Sequence, residues 1–230
     1  MNTGILYIVA TPIGNLEDMT LRALETLKKV DLIACEDTRH TKKLLFHYEI
    51  EKSLISFHQH SKTIKFDKII AEIKKGKNVA LVTDAGTPGI SDPGNKLVAE
   101  AIENGIAVIP IPGVSALTTL ASVSGIDMQR FVFLGFPPHK KGRETFFKKV
   151  VETEFPVVYY ESPHRLIKNL ELLKSFQSEF DSESLGKRII LGRELTKMFE
   201  EIVRGGVAEV LEYFQANPGK VKGEITIIIY

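Results

Sequence analysis

The sequence predicts an α/β protein with two domains, and two features of the chain indicate this. Short apolar segments alternate with longer segments whose apolar residues recur every three to four positions, as strands and helices do around a mostly parallel sheet. A second series of the same kind begins near residue 115, and 230 residues, 43% of them hydrophobic, can form two cores. We therefore expect one α/β domain at residues 1–114 and a second at residues 115–230.

The expected elements follow from this alternation. In the first domain, the segments at residues 79–83 and 107–111 are apolar enough that we expect them to be strands buried on both faces of the sheet. Strands are expected there at residues 5–10, 32–35, 54–57, 79–83 and 107–111, with helices at 21–30, 41–46, 64–75 and 93–104. In the second domain strands are expected at residues 131–134, 157–160, 189–192, 201–204 and 224–229, with helices at 115–123, 144–151, 166–176 and 207–215.

The composition limits the kinds of function. Lys and Arg number 30 against 29 Asp and Glu, so any contact with a nucleic acid must come from local basic groups. Cys35 is the single cysteine, which excludes an intrachain disulfide and is typical of a reducing compartment. There is no signal-peptide pattern, no apolar run long enough for a membrane span, and no zinc-ligand, P-loop or GxGxxG motif. We expect a soluble cytoplasmic protein that binds no metal ion.

Three loops that follow predicted strands form the candidate ligand site, because ligands of open α/β sheets bind beyond the carboxyl ends of the strands. The first, TPIGN at residues 11–15, could also be a structural turn. The second, DAGTPGISDPG at residues 84–94, is longer than a connection requires, and its glycines would let backbone groups approach a ligand. Asp92 within it could instead be only the cap of the next helix. The third, PIPGVSA at residues 110–116, could also be a stiff linker between the domains.

The order of these three loops resembles the tetrapyrrole-methylase-like class of S-adenosylmethionine-dependent methyltransferases, along essentially the whole chain. Three further motifs, EDTR at residues 36–39, YESPHR at 160–165 and RELTK at 193–197, look like those of the bacterial 16S ribosomal RNA (cytidine-2'-O)-methyltransferases. The resemblance implies two α/β domains with the cofactor S-adenosylmethionine in the cleft between them, and a homodimer. It also implies 16S rRNA or the small ribosomal subunit as the substrate, methylated on the ribose of a cytidine in the decoding region.

Transferred to this sequence, the resemblance implies cofactor contacts from both domains. In the first domain the implied residues are Pro12, Asp84, Gly86, Pro88, Ile90 and Ser91, and Ser115 follows at the start of the second. In the second domain they are Ala116, Tyr160, Leu195, Thr196, Gly223 and Glu224. Binding of adenine largely through backbone groups would explain why small residues recur in these loops.

A base is expected near the reacting hydroxyl, because a ribose hydroxyl is a very weak acid. The carboxylate candidates are Glu36, Asp37, Glu161 and Glu194. His164 is the imidazole candidate, although it could instead cap or pack against the helix that follows it, and Lys197 could stabilise a developing oxyanion. Glu36 and Asp37 could instead form a salt bridge with Arg39.

Two clusters of basic residues could hold an RNA backbone, although both could also be ordinary solvated surface. The first cluster is Arg39, His40, Lys42 and Lys43, and the second is His139, Lys140, Lys141 and Arg143. Arg165 and Arg193 could clamp phosphates, or could pair with neighbouring carboxylates. Phe136, beside the second cluster, could stack on an unpaired base, or could be a core residue.

Other functions are compatible with parts of the pattern. A precorrin-type tetrapyrrole methylase would share the fold and the cofactor, and so would an enzyme that methylates a modified histidine of an elongation factor. A non-catalytic RNA-binding or ribosome-assembly module could also have kept the fold. The EDTR motif and the second basic cluster favour RNA as the substrate, and the glycine-rich loop with its acidic neighbours favours an enzyme.

Overall fold

The computed structural model describes residues 3–57, 63–92, 94–180 and 186–230, and these form two compact units. The first unit ends at Ser115 and the second begins at Ala116, one residue after the boundary expected from the sequence. Each unit contains one five-stranded sheet with helices, which confirms the α/β class. Within these described ranges, no helix has the length and apolar character needed to cross a membrane.

The described part of the first unit alternates strands and helices as expected. Its elements are β1 (Ile5–Val9), α1 (Leu21–Lys29), β2 (Leu32–Cys35), α2 (Thr38–His47), β3 (Ser53–Ser56), α3 (Thr63–Lys74), β4 (Val79–Leu81), α4 (Asn95–Glu103) and β5 (Ala107–Ile111). The five strands are all parallel, in the order β3-β2-β4-β1-β5. The expected helix at 93–104 is α4, and Pro93, its expected first residue, lies outside the described residues.

The connections after β1 and β4 lead to opposite faces of this sheet. Leu27 of α1 packs in one core, with Val9 and Ile33 of the sheet. Leu97 of α4 packs in the other core, with Leu6 of the same strand β1. β1 and β4 are neighbours and the connections that follow them lead to opposite faces, which is where open α/β sheets bind ligands, at the carboxyl ends of the strands.

The edge strand β5 differs from the sequence-based expectation. Ala107, Ile109 and Pro110 are exposed, whereas all of β4 is buried. The expectation of burial on both faces is therefore confirmed for β4 and wrong for β5. An edge strand has a neighbour on one side only, and an apolar sequence does not show which strand will occupy the edge.

The second unit has a mixed sheet. Its described elements are α5 (Ala116–Ser122), β6 (Val132–Phe133), α6 (Arg143–Glu152), β7 (Val157–Glu161), α7 (Leu166–Phe180), β8 (Arg188–Arg193), β9 (Glu201–Gly206), α8 (Val207–Ala216) and β10 (Ile225–Ile229). The strand order is β6-β7-β10-β8-β9, with β6 and β7 parallel and the other pairs antiparallel. Helices α6, α7 and α8 contribute Phe147, Leu170 and Phe214 to the core.

The register of the second sheet brings three predicted segments to one edge. Ile225, the first residue of β10, pairs with Glu161 at the end of β7 and with Arg193 at the end of β8. The YESPHR and RELTK motifs therefore begin beside each other, with Gly223 and Glu224 directly before β10. Residues distant in sequence become neighbours through strand pairing.

Candidate active site

The three glycine- and proline-containing loops of the first unit are joined at the carboxyl edge of its sheet. Thr11 and Gly86 exchange two backbone hydrogen bonds, from the Thr11 N–H to the Gly86 oxygen at 2.9 Å and from the Gly86 N–H to the Thr11 oxygen at 3.0 Å. The hydroxyl of Thr87 donates to the backbone oxygen of Val114 at 3.0 Å. These contacts connect the loop after β4 to the loops after β1 and β5.

Glycine is required where these loops touch. Gly86 has φ of 83°, in the left-handed region, and an added Cβ would lie 3.3 Å from Cγ2 of Ile13. A Cβ on Gly113 would lie 2.9 Å from the Cβ of Ala10, which is too close for an unshifted side chain. The close packing leaves backbone groups at the edge where a ligand of an α/β sheet binds.

The cofactor candidates of the first unit lie along these loops. Pro12, Gly86 and Pro88 are buried, and Asp84 and Ser115 are partly buried. Asp84 Oδ1 accepts a hydrogen bond from the backbone N–H of Asp37 at 3.1 Å. The outer candidates Ile90 and Ser91 are exposed, and Ala116 is the first residue of α5 in the second unit.

Three carboxylates gather around Thr83, a buried threonine that sequence reasoning did not single out. Thr83 Oγ1 lies 3.4 Å from Glu36 Oε2, and its hydroxyl also hydrogen-bonds to Asp92. Glu36 follows β2 and Asp84 follows β4, and these strands are neighbours in the sheet. Burial raises the pKa of Asp92 to about 6; the Thr83 hydrogen bond opposes this, and the charges of Glu36 and Asp84 add to it.

The alternative interpretation of Asp92 as a helix cap is wrong. Helix α4 begins at Asn95, its N-cap residue is Gly94, and no side chain caps it. The Asp92 carboxylate is therefore not required to satisfy the helix end. Within the described part of the chain, no three His, Cys, Asp or Glu side chains are placed to share a metal ion.

For the base candidate Asp37, the structure supports the alternative role, a salt bridge with Arg39. Its Oδ1 accepts hydrogen bonds from the backbone N–H of Arg39 at 2.8 Å and from Nε of Arg39 at 3.1 Å, and Oδ2 accepts from Nη2 at 2.7 Å. Asp37 thereby caps α2. These hydrogen bonds hold the pKa of the carboxyl far below its usual range, so it is a weak base.

Glu194 and Lys197 organise one turn at the edge of the second sheet. Lys197 Nζ lies 2.9 Å from Glu194 Oε1 and 3.1 Å from Glu224 Oε2, and Glu194 Oε1 also accepts from the Glu224 N–H at 2.9 Å. A Cβ on Gly223, whose φ is 83°, would lie 2.5 Å from the Glu194 carboxyl. Burial acts to raise the pKa of Glu194, but the hydrogen bonds from Glu224 and Lys197 outweigh it and lower the pKa. This geometry favours a structural role for the pair over acid–base catalysis.

In the same turn, the side-chain hydroxyl of Thr196 is placed to bind a ligand or a water molecule. Its φ of 65° is in the left-handed region, and its N–H donates to Glu200 at 2.6 Å. Its Oγ1 is buried without a hydrogen-bond partner among the described residues, which is costly unless a ligand or water supplies one. Leu195, the neighbouring cofactor candidate, is buried. The ring of Tyr160, a further cofactor candidate, contacts the ring of Phe136, with 5.4 Å between the ring centroids.

Glu161 is buried and fully engaged. Only 3% of the residue is exposed, and its two oxygens accept hydrogen bonds from the Ser162 N–H and the Asn169 side chain, both at 2.7 Å. Burial raises the pKa of its carboxyl, against the hydrogen bonds of Asn169 and Ser162 and the charges of Arg165 and Arg143. Glu161 therefore fits a positioning role for the two arginines better than the role of a base.

The basic candidates divide into buried and exposed groups. Arg193 is 6% exposed, with Nε 3.2 Å from Glu201 Oε2 and Nη2 3.1 Å from the oxygen of Phe199, so the expectation that it clamps RNA phosphates is wrong in this structure. Lys140, Lys141 and His164 are exposed. On α2 the first cluster is exposed, with 86% of the Arg39 side chain accessible.

Arg143 is the first residue of α6 and Arg165 directly precedes α7, and these two helices follow the parallel neighbouring strands β6 and β7. Arg165 Nη1 donates to the oxygen of Pro137 at 2.8 Å. The Nε atoms of both arginines are buried without a hydrogen-bond partner among the described residues. Phe136 in the same region is 52% exposed, so the alternative of a core phenylalanine is wrong.

A test of the glycine requirement is the Gly86→Val variant. We expect S-adenosylmethionine binding to weaken at least tenfold, because the new side chain would crowd Ile13 and strain the loop, while the fold persists. Isothermal calorimetry and circular dichroism measure the two effects. Gly105→Val is the matched control, since Gly105 also has a positive φ of 67° but no atom within 4 Å of an added Cβ. Normal affinity in Gly86→Val would contradict the assignment.

Comparison with known proteins gives the family. The sequence model of the tetrapyrrole (corrin/porphyrin) methylases matches residues 5–211. Two relatives are named ribosomal RNA small subunit methyltransferase I. The protein from Halalkalibacterium halodurans is 46% identical to this chain, and the match covers 98% of this chain and 75% of the relative. The protein from Thermotoga maritima is 44% identical, and the match covers 98% of each. Among solved structures, a cobalt precorrin-4 methyltransferase has a TM-score of 0.71 at 16% identity, covering 97% of this chain and 93% of that one. Uroporphyrin-III-C-methyltransferase from Thermus thermophilus has a TM-score of 0.66 at 18% identity, covering 98% and 94%. The chain therefore belongs to the tetrapyrrole methylase family and, within it, to the group of the ribosomal RNA small subunit methyltransferase I proteins.

Proposed function

We propose that this methyltransferase transfers a methyl group from S-adenosylmethionine to the ribose 2'-oxygen of a cytidine in the decoding region of 16S ribosomal RNA. The names of the relatives support ribosomal RNA as the substrate class. The observation that supports the reaction is the joining of the three loops, with Glu36, Asp84 and Asp92 at the same carboxyl edge of the first sheet. When bound, the cofactor supplies an electrophilic methyl group.

The residues present fit this cofactor. Gly86 and Gly113 leave room for backbone groups of the first unit to contact it, and Pro12, Asp84 and Ser115 lie on the same loops. In the second unit, the buried Oγ1 of Thr196 has no partner among the described residues and is available for a hydrogen bond to a ligand. Holding the reactants in place can contribute about 7–11 kcal/mol, more than a base usually does, so positioning is the main task of these residues.

Arg143 and Arg165 are the proposed clamp for an RNA phosphate. They begin α6 and precede α7, two helices whose N-terminal dipoles also favour an anion. Glu161 lies 3.9 Å from Arg165 Nε, beyond hydrogen-bond distance, and Asn169 holds Glu161 in place. Glu161 and Asn169 are therefore positioning residues for the clamp, and Lys140 and Lys141 add exposed positive charge beside it.

Product analysis tests the proposed reaction. Small ribosomal subunits that lack the modification would be incubated with the protein and labelled S-adenosylmethionine, and the RNA nucleosides separated by mass spectrometry. We expect label in 2'-O-methylcytidine, and none with Gly86→Val. Label on the base of a nucleoside, or cofactor binding without any label in RNA, would contradict the proposal.

The proposed RNA surface predicts a change in salt dependence. In Lys140→Ala/Lys141→Ala, the slope of log affinity against log salt concentration should fall by about 0.7–0.9 for each RNA phosphate that a lysine no longer neutralises. Filter binding to the small-subunit RNA measures the slope. Lys28→Ala/Lys29→Ala removes an equal charge from exposed positions of α1 and should leave the slope unchanged. Equal slopes in both variants would show that Lys140 and Lys141 are ordinary surface.

The homodimer implied by the family resemblance is also part of the proposal. Ile102 of α4 is 62% exposed and Ile109 of β5 is 37% exposed, and a second copy would remove such apolar surface from water. Sedimentation equilibrium should give twice the chain mass of 25.7 kDa. A single-chain mass at micromolar concentration would contradict a stable dimer.

A further inference from the structure

We propose that Asp92 is the general base that accepts the proton of the ribose 2'-hydroxyl. The inference rests on the proposed function, because it names the base for that reaction. Asp92 lies in the loop after β4, which also carries the cofactor candidates Asp84 and Gly86. This loop is at the edge of the sheet where α/β proteins bind their ligands. The proposal gives a catalytic role to a residue that the sequence placed in the candidate ligand loop, with a helix cap as the alternative.

Asp92 lies at a cavity large enough for part of a nucleotide. The cavity has a volume of about 290 Å³, and its walls include Gly89, Ser91, Asp92, Gly94 and Lys96. Gly89 and Gly94 contribute no side chains, which keeps the space beside the carboxylate open. Ser91 has φ of 63°, an unfavourable conformation for a residue with a Cβ, and strain of this kind is concentrated at functional sites.

Three other carboxylates of the candidate site, Asp37, Asp84 and Glu194, have structural partners. Asp37 holds Arg39, Asp84 accepts the N–H of Asp37, and Glu194 holds the turn at Glu224. Asp92 caps no helix, and its identified hydrogen-bond partner is the hydroxyl of Thr83. Asp92 is therefore placed to exchange a proton without disturbing a helix end or a salt bridge.

The charges around Asp92 suit a base at neutral pH. The charges of Glu36, which follows β2, and of Asp84, at the start of the same loop, act on it, and Lys96 of α4 lines the same cavity. Burial and the two negative neighbours raise the pKa of Asp92 to about 6, so it is mostly ionised at pH 7 and yet more basic than an ordinary aspartate.

The proton transfer balances with methyl transfer. The 2'-oxygen forms a bond to the methyl carbon as its proton passes to a carboxylate oxygen of Asp92. The carbon–sulfur bond breaks and its electron pair stays on sulfur, which becomes a neutral thioether. Asp92 then loses the proton to solvent, and no other reactant is required.

The first test is the isosteric variant Asp92→Asn. We expect its kcat to fall about 100-fold to 10,000-fold, the usual contribution of a general base, with S-adenosylmethionine and RNA affinities within about threefold of the wild type. Glu103→Gln, at an exposed position of α4, is the control and should retain full activity. Wild-type kcat in Asp92→Asn, or loss of cofactor binding that explains its inactivity, would overturn the assignment.

The pH profile provides a readout that a structural role would not change. Protonated Asp92 cannot accept a proton, so wild-type kcat/KM, which reports ionisations of the free enzyme, should fall tenfold per pH unit below about 6. Glu36→Gln removes a negative neighbour and lowers the pKa of Asp92, so the fall in activity on the acid side should move to lower pH. Loss of activity in Glu36→Gln with retention in Asp92→Asn would instead identify Glu36 as the base.

Carbon-13 NMR of the carboxyl groups tests the same residue without turnover. The protein alone should show a carboxyl that titrates near pH 6 and is absent from Asp92→Asn. Titration of Asp92 near the ordinary value of 3.8 would contradict the proposal. If the wild type methylates no ribosomal RNA, the proposed function fails. If it does and Asp92→Asn is as active, only the assignment of the base fails.

Discussion

The pair of backbone hydrogen bonds between Thr11 and Gly86 is the contact on which the candidate site depends. It joins the loops after β1 and β4, which otherwise diverge to opposite faces of the sheet. It requires a residue at position 86 that adopts φ of 83° and has no Cβ to press on Ile13. The side chain of Thr11 extends the same connection, since its hydroxyl donates to the oxygen of Thr83 at 3.1 Å. Thr83 in turn positions Glu36 and Asp92, so one backbone contact links the cofactor loops to the acidic cluster.

Environment separates carboxylates that look equivalent in the sequence. Asp37 is bound to a guanidinium and is a weak base, whereas Glu161 is buried and holds Arg165 and Arg143 near the loops of the second sheet. Asp92 is partly buried, open to a cavity and close to two other negative charges. The same chemical group therefore differs in its proposed role, as a helix cap at Asp37, a support for basic residues at Glu161 and a proton acceptor at Asp92, according to its hydrogen bonds and burial.

The sequence was sufficient for the fold and for the location of the loops, because both depend on local patterns. The spacing of apolar residues predicted β2 and β5 at their observed bounds, and proline and glycine marked the loops. Roles that depend on partners from other elements could not be predicted in the same way. Arg193 pairs with Glu201 on the next strand, and Glu161 with Asn169 on the following helix, so neither partner belongs to the motif. The sequence was compatible with Asp92 as the cap of α4. The structure shows that α4 begins later, after Gly94.

Hydrogen–deuterium exchange with and without S-adenosylmethionine tests the location of the cofactor site most directly. We expect slower exchange on binding in peptides that cover residues 10–15, 84–92 and 112–115 of the first unit, and 194–197 and 222–225 of the second. Helix α8, whose inner face lies in the core of the second unit, should be unchanged. Tight binding of the cofactor with unchanged exchange in the loops after β1 and β4 would contradict the site described for this protein.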